Sequence, residues 1–286
     1  MNSSVTPADS PASESGAPAP AARRARILAV TSGKGGVGKT FLSANLAAAL
    51  ARLGRRVLVL DADLGLANLD VVLNLHPKVT LHDVFTGKVE LEDAILPAPG
   101  GFSVLLAGSG LVEYSRLTPD VREQLLRIID TVAPRFDHIL LDTGAGISDV
   151  VLYAVSLADD VLVITTPEPT SMTDAYATIK VLATQQQRRE IRLVVNQVGR
   201  LGEGRAIRGQ LQLVVDRFVT PMLAQVSGGE GGDGAVKSSL KLELLGEVPL
   251  DPAVREAVQK RRLLLQLLPG CPAARAVEAI AARLAP

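Results

Sequence analysis

From Arg26 onward the chain alternates short aliphatic runs with longer segments whose apolar residues recur at three- and four-residue spacing. The runs "RILAVTS" (26–32), "RRVLVLDAD" (55–63), "FSVLLAGS" (102–109), "FDHILLDTGAG" (136–146), "DDVLVITTPEP" (159–169), "IRLVVNQV" (191–198) and "LKLELLGEVPL" (240–250) read as strands. Near-continuous Val, Ile and Leu mark strands buried on both faces, as in a parallel sheet. Helical spacing runs through "FLSANLAAALARLG", with Gly54 as its C-cap, and through "TPDVREQLLRIIDTVAP", with Thr118 as N-cap and Pro119 at the first helical position. It returns in "SMTDAYATIKVLATQQ" and "IRGQLQLVVDRFVTPMLAQV" and in two closing helices, while "GLANLDVVLNL" and "TLHDVFTG" predict short ones. Repeated strand-then-helix order predicts an α/β fold, a doubly wound, mostly parallel sheet with helices on both faces.

Domain organisation follows from where this alternation stops. Residues 1–25 are rich in Ser, Ala and Pro and predict a disordered leader. Residues 26–286 read as one domain, with "SGGEGGDG" (227–234) as a flexible insertion.

Composition narrows the class. Hydrophobic residues make up 47% of the 286 and aromatic ones only 3%, so the core is aliphatic. Thirty basic residues balance thirty acidic ones, which argues against a global electrostatic drive toward nucleic acid or anionic lipid. The single cysteine, Cys271, excludes an internal disulfide framework and suits a reducing cytoplasm. No apolar run approaches the ~18 residues of a membrane span, and the start lacks a secretory pattern.

The chemistry concentrates after the first strand. "GKGGVGKT", Gly33 to Thr40, fits G-x-x-x-x-G-K-[ST] between an aliphatic strand and a helix. Gly33, Gly35, Gly36 and Gly38 let backbone N–H groups, including that of Val37, turn toward phosphate oxygens, and the helix beginning at Gly38 or Lys39 adds its positive end. Lys39 is expected to reach the β- and γ-phosphates of ATP, Thr40 to place its hydroxyl on Mg²⁺, and Phe41 to flank the bound nucleotide. Asp61 and Asp63 end one strand and Asp142 another, where α/β sheets bind ligands. Asp142 followed by Thr-Gly-Ala-Gly resembles a Walker B strand and a γ-phosphate-sensing loop.

A second lysine in that loop, Lys34, is one more than phosphate binding needs. "KGGVGKT" resembles the deviant Walker A loop of the ParA/MinD family of P-loop ATPases. The resemblance implies that Lys34 crosses a dimer interface to the partner's ATP, that Asp63 orients the attacking water, and that Asp61 belongs to the magnesium shell with Thr40 and Asp142. "GLANLD" after "DAD" and "TPEPTSMTDAYA" are similar to the FlhG/FleN branch, whose members control flagellar number. That likeness runs from about Arg26 to Leu284. It implies that Asn196 pairs with the adenine edge and that "GEVPLD" (246–251), with Pro249 and Asp251, walls the base. It implies a slow, dimer-dependent ATPase, an ATP-bound homodimer, and as partners an FlhF-like GTPase, a flagellar master transcription activator or switch-complex proteins.

Departures from the pattern shape the rest. The leader lacks the Asp-Gln-Ala motif with which many members stimulate the GTPase, and the chain stops at Pro286 without an amphipathic tail. The expectation is therefore no direct sequence-specific DNA binding and weak or indirect membrane contact, in the cytoplasm or at the inner face of the cell membrane or cell pole. Val277, Ile280 and Leu284 read as a core-facing stripe, and "QKRRLLLQLL" (259–268) as a core helix with a basic edge. His76, His82 and His138 show no ligand spacing, and Cys271 no nucleophile context. Glu168 and Asp174 fall in the branch signature and read as interface or partner contacts. A ParA-like ATPase positioning DNA or protein, which needs a basic surface, and a MinD-like division-site regulator, which needs a lipid-binding tail, remain the alternatives.

Overall fold

The computed structural model describes residues 24–65, 67–108, 117–226 and 239–285. The insertion at 227–234 and the leader through residue 23 lie outside the described residues. The first half runs β1 (Arg26–Ser32), α1 (Lys39–Arg52), β2 (Val57–Ala62), short helices α2 (Leu69–Leu73), α3 (Leu81–Phe85) and α4 (Leu91–Ala94), β3 (Ile95–Pro97), β4 (Ser103–Leu105), α5 (Pro119–Val132) and β5 (His138–Ala145). The second half runs α6 (Asp149–Ser156), β6 (Asp160–Thr165), α7 (Pro169–Gln185), β7 (Glu190–Val198), α8 (Glu203–Phe218), α9 (Thr220–Val226), β8 (Lys241–Pro249), α10 (Pro252–Gln259), α11 (Leu264–Leu267) and α12 (Pro272–Leu284).

One eight-stranded sheet has the order β3-β4-β2-β5-β1-β6-β7-β8, parallel except for β3 against β4. The two-residue period of each strand divides the core between its faces. Ile27, Ala29, Leu58, Leu60, Ile139, Leu141, Val161 and Val163 pack with α5 to α8. Leu28, Val30, Val57, Val59, Leu140, Leu162 and Ile164 pack with α1 and α10 to α12. Each fully buried Leu or Ile contributes roughly 1.5–3 kcal/mol from apolar area removed from water, so the aliphatic composition suffices without aromatics. Val277, Ile280 and Leu284 are buried, so the closing stripe faces the core.

Local chemistry sets the boundaries. Gly54 has φ 78°, one residue past the α1 C-cap, and Arg55 N–H donates to Leu50 O, closing the helix in a left-handed turn. Thr118 Oγ1 accepts from Val121 N at the start of α5. Three elements differ from the sequence expectation. Ile95–Pro97 forms an antiparallel edge strand, turned onto β4 through the Pro99-Gly100-Gly101 corner. The long helix after β7 divides into α8 and α9, because Pro221 has no N–H to continue the ladder. The chain closes with three helices rather than two.

β1 is the switch point of the order: its neighbours β5 and β6 lie on opposite sides, and the connections leave in opposite directions. A crevice at the carboxyl ends of the strands opens there, and the loop 33–38 fills it.

Candidate functional site

The glycine loop is held from three sides. Gly38 has φ 97° and forms the N-cap of α1, a backbone state open to glycine, and a Cβ there would stand 2.6 Å from Asn196 Nδ2. A Cβ on Gly33 would stand 2.1 Å from the Asp174 carbonyl oxygen, so the start of the loop lies directly on α7. Ser32 Oγ donates to Lys34 O at 2.7 Å, and Asn196 Nδ2 donates to Val37 O at 2.8 Å. No side chain caps α1 and no acidic residue occupies its first turn, so the positive end of a fourteen-residue helix is left for an anion.

In front of that end lies a cavity of about 870 Å³. The loop supplies Gly35, Gly36, Gly38, Lys39, Thr40 and Phe41; the position just after β2 supplies Asp63, the end of β5 supplies Gly144, and the N-cap of α6 supplies Ser148. Asp63 N–H donates to Asp61 Oδ1 at 3.1 Å. The Asp63 carboxylate lies 3.4 Å from where a Cβ on Gly144 would be, so the residue after β2 meets the end of β5 at this side chain.

Beneath the loop, Asp61 and Asp142 are in register on adjacent strands, 1% and 2% exposed. Ser43 Oγ donates to Asp142 Oδ1 at 2.8 Å, and the Thr40 hydroxyl bonds the same carboxylate. Burial nevertheless pushes the Asp142 carboxyl up to about 6. Burial, reinforced by the Asp142 charge, holds Asp61 well above the usual carboxylate range, and its Oδ2 has no hydrogen-bond partner. Burial also lowers the Lys39 ammonium, while Asp142 and Asp63 draw it back up. Two carboxylates, Asp142 and Asp63, thus act on one ammonium, while the neighbouring Asp61 carries an enclosed acceptor with no partner. Crowded acidic groups with an unsatisfied oxygen suit a bound cation, whose charge would favour their ionised forms. Among the described residues no three His, Cys, Asp or Glu side chains gather closely enough to hold a metal unaided. A cation here relies on hydroxyl, water and phosphate oxygens, the coordination magnesium prefers. The site fits that ion, with Thr40, Asp142 and Asp61 as the residues around it.

Lys34 faces elsewhere. Its Nζ donates to Glu168 Oε2 at 2.7 Å and to Thr170 Oγ1 at 3.0 Å, with its side chain 38% exposed. Of the two lysines in one loop, Lys39 lines the cavity and Lys34 stands on its outer rim, tied to the start of α7.

The structure gathers Gly35, Gly36, Gly38, Lys39, Thr40 and Phe41 with Asp63 around the cavity, leaves Gly33 and Val37 off its lining, and sets Asp61 and Asp142 among the buried residues. Asn196, Pro249 and Asp251, the expected base contacts, do not line this cavity. The Asn196 amide braces the loop through Val37. The Asp251 carboxylate accepts from Ala253 N at 2.9 Å and Ala273 N at 3.1 Å, tying α10 to α12. Pro249 ends β8, paired with β7 next to Asn196. Asp174 meets Gly33 through its backbone rather than its carboxylate. Cys271 Sγ accepts from Ala274 N as the N-cap of α12. Ser43 and Thr170 were not singled out in the sequence. Ser43 had a signal, a polar residue three positions after Thr40 on a helix otherwise buried among Ala and Leu.

Comparison with known proteins agrees with this geometry. The family profile described as an AAA domain matches residues 25–195. The antiactivator FleN of Pseudomonas aeruginosa is 41% identical over 259 residues, covering 91% of this chain and 86% of that protein. The flagellum site-determining protein YlxH of Helicobacter pylori is 32% identical, covering 91% of this chain and 81% of its own. The septum site-determining protein MinD of Pyrococcus horikoshii, solved with Mg-ADP, superposes with a TM-score of 0.67 at 26% identity, covering 91% of this chain and 96% of that one. Among the described residues, no helix is long and apolar enough to cross a membrane.

Proposed function

The chain belongs to the ParA/MinD family of P-loop ATPases, in its FlhG/FleN branch, and on that premise we propose that it is an ATP-driven dimerisation switch that regulates the number and placement of flagella. The observation that carries this reading is the opposite placement of the two loop lysines. An ammonium inside the cavity serves the molecule's own nucleotide. An ammonium on the exposed rim of the same loop can serve a nucleotide held by a second copy.

The residues divide the work. The open end of α1 and the loop amides bind the phosphates. Lys39 neutralises charge on the β- and γ-phosphates, and Phe41 flanks the bound nucleotide. Magnesium, when bound, supplies the remaining positive charge and orders the phosphate oxygens. Asp63, against Gly144, holds the attacking water in line with the γ-phosphate. Catalysis is then positional and electrostatic, and turnover is slow. Closure of two protomers requires Lys34 to leave Glu168 and Thr170 for the partner's phosphates. Loss of the γ-phosphate releases the loops near Asp63 and Asp142, and the dimer opens. In the Asn196 role, the amide positions the loop and borders the base, with Pro249 on the neighbouring strand end; Asp251 acts by holding α10 and α12 behind that wall.

The ATP-bound dimer is the form that engages an FlhF-like GTPase and a flagellar transcription activator or switch-complex protein. It works in the cytoplasm, and at the inner membrane face or pole through those partners. The biological test is a deletion strain of the source organism, complemented with the wild-type chain or with Lys34→Ala. Wild type restores the normal flagellar count and Lys34→Ala leaves it altered; an unchanged count in the deletion strain sinks the flagellar reading.

A further inference from the structure

A second concave site lies away from the nucleotide cavity, where two helix ends face each other. α2 ends at Asn74, φ 52°, with Leu75 N–H donating to Asp70 O at 2.9 Å and Asn74 N–H to Val71 O at 3.3 Å. α10 closes through Arg261, φ 50°, one residue past its C-cap Lys260, with Arg262 N–H donating to Ala257 O at 3.0 Å and Arg261 N–H to Val258 O at 3.1 Å. Both are left-handed helix-terminating corners in which the sixth residue's amide returns to the first residue's carbonyl. Asparagine tolerates that backbone, and glycine is its usual occupant. Arginine has no such tolerance, so Arg261 stands there at a steric cost that a glycine would remove. Strain kept at one residue is a pointer toward use of its side chain.

Between the corners is a cavity of about 320 Å³. Leu73, Leu75, Pro99 and Leu263 give it apolar walls, and Arg261 and Arg262 border it. Among the described residues neither guanidinium has a hydrogen bond or ion pair, and both residues are exposed. The surrounding strip, 252–268, carries Arg255, Lys260, Arg261 and Arg262 against one acid, Glu256, which pairs with Lys260 at 2.7 Å. An apolar pocket edged by unpaired guanidiniums is complementary to a carboxylate next to an aliphatic or aromatic side chain, because the planar fork grips carboxylates in two-point contact.

We infer that this corner is a docking site for an acidic peptide segment, with an apolar anchor in the pocket and carboxylates on Arg261 and Arg262. A bilayer is the weaker match. Leu263, Leu264 and Leu265, the leucines that follow the arginines, are all buried in the core, which leaves charge at the surface without those side chains to insert into lipid. The site stands on its own residues and is independent of how the nucleotide site works.

The test is a selection of displayed random twelve-residue peptides against the full nucleotide-free chain, with a parallel selection against the Arg261→Gly, Arg262→Ala double variant. The expected result is enrichment of segments pairing Asp or Glu with Leu, Ile or Phe on the wild-type chain alone. A synthetic copy of the leading segment should bind wild type at least about ten-fold more tightly than the variant, and more weakly as salt rises. Arg261→Gly alone separates recognition from folding, because its Tm should equal or exceed wild type while peptide affinity falls. Enrichment that is neutral, basic or indifferent to the two arginines overturns the proposal. So does arginine-dependent sedimentation with phosphatidylglycerol vesicles when no peptide discriminates the variant. Loss of ATP-dependent dimerisation would leave all these readouts unchanged.

Discussion

The two ends of the same sheet treat charge in opposite ways. At the amino ends, charges are matched. Arg26 contacts Asp160 at 2.5 Å, Arg192 reaches Asp160 and Glu243, and Arg283 joins Glu243 at 3.0 Å, so one chain of pairs links β1, β6, β7, β8 and α12. Arg56 forks onto Asp137 just before β5. At the carboxyl ends, Asp61, Asp63 and Asp142 crowd together, Lys39 answers only Asp142 and Asp63, and an enclosed Asp61 oxygen has no partner. At the amino ends each named acid has a named base beside it, although Arg192 Nη1 reaches Asp160 at 3.3 Å without a hydrogen bond. The unmatched end is completed by what binds there, and its imbalance is the physical mark of a cation and phosphate site.

That contrast can be broken most severely at Lys39. Lys39→Ala removes the ammonium that faces Asp142 and Asp63, and ATP binding measured by calorimetry should weaken at least roughly 100-fold, about 3 kcal/mol. The next largest effect is expected at Asp63, whose carboxylate lies beside Gly144 rather than under the loop. Asp63→Ala should bind ATP within a few-fold of wild type, while phosphate release in steady-state assays falls about 10²–10⁴-fold. Unchanged turnover would remove Asp63 from the water-positioning role.

Glu168 tests the rim. It holds Lys34 within one protomer, and the pair is partly exposed, at 38% and 61% of the two side chains, so its worth is modest. Glu168→Gln should let Lys34 leave more readily, lowering the ATP concentration for half-dimerisation roughly two- to five-fold. Light scattering over an ATP series would show it, and a higher requirement would mean that Glu168 serves the interface itself.

The smallest effect belongs to the matched end. The Arg56 side chain and backbone N–H hold the Asp137 carboxyl down from its usual 3.8 to about 2. A depressed carboxyl gives stability that is present above about pH 4 and lost as pH falls through about 2. Asp137→Asn should therefore lower Tm slightly at pH 7, with the gap to wild type closing toward pH 2. It should leave ATP turnover unchanged.

What was legible in the sequence tracks how local the cause is. The loop from Gly33 to Thr40, the strand-end aspartates and the alternation of strand and helix each follow from residues within one or two turns of each other. The β3 hairpin was also local, and the Pro-Gly-Gly corner before "FSVLL" was its signal. Other features are set by tertiary contact. Asn196 meets Val37 across 159 positions and Lys34 meets Glu168 across 134, and no short pattern encodes either pair. Asp251 reads as a pocket residue by likeness, yet the packing of α12 against α10 turns its carboxylate to two backbone amides. The three carboxylates could be counted in the sequence, but their crowding appears only when β2 and β5 are neighbours in register.

The central claim is that one loop carries one lysine for its own nucleotide and one for its partner's. The most direct measurement is size-exclusion chromatography with light scattering on the hydrolysis-blocked Asp63→Ala chain with ATP and magnesium, alone and combined with Lys34→Ala, while bound nucleotide is quantified in each peak. Asp63→Ala should elute as a dimer. The double variant should elute as a monomer that still carries ATP. A double variant that remains a dimer would contradict the claim.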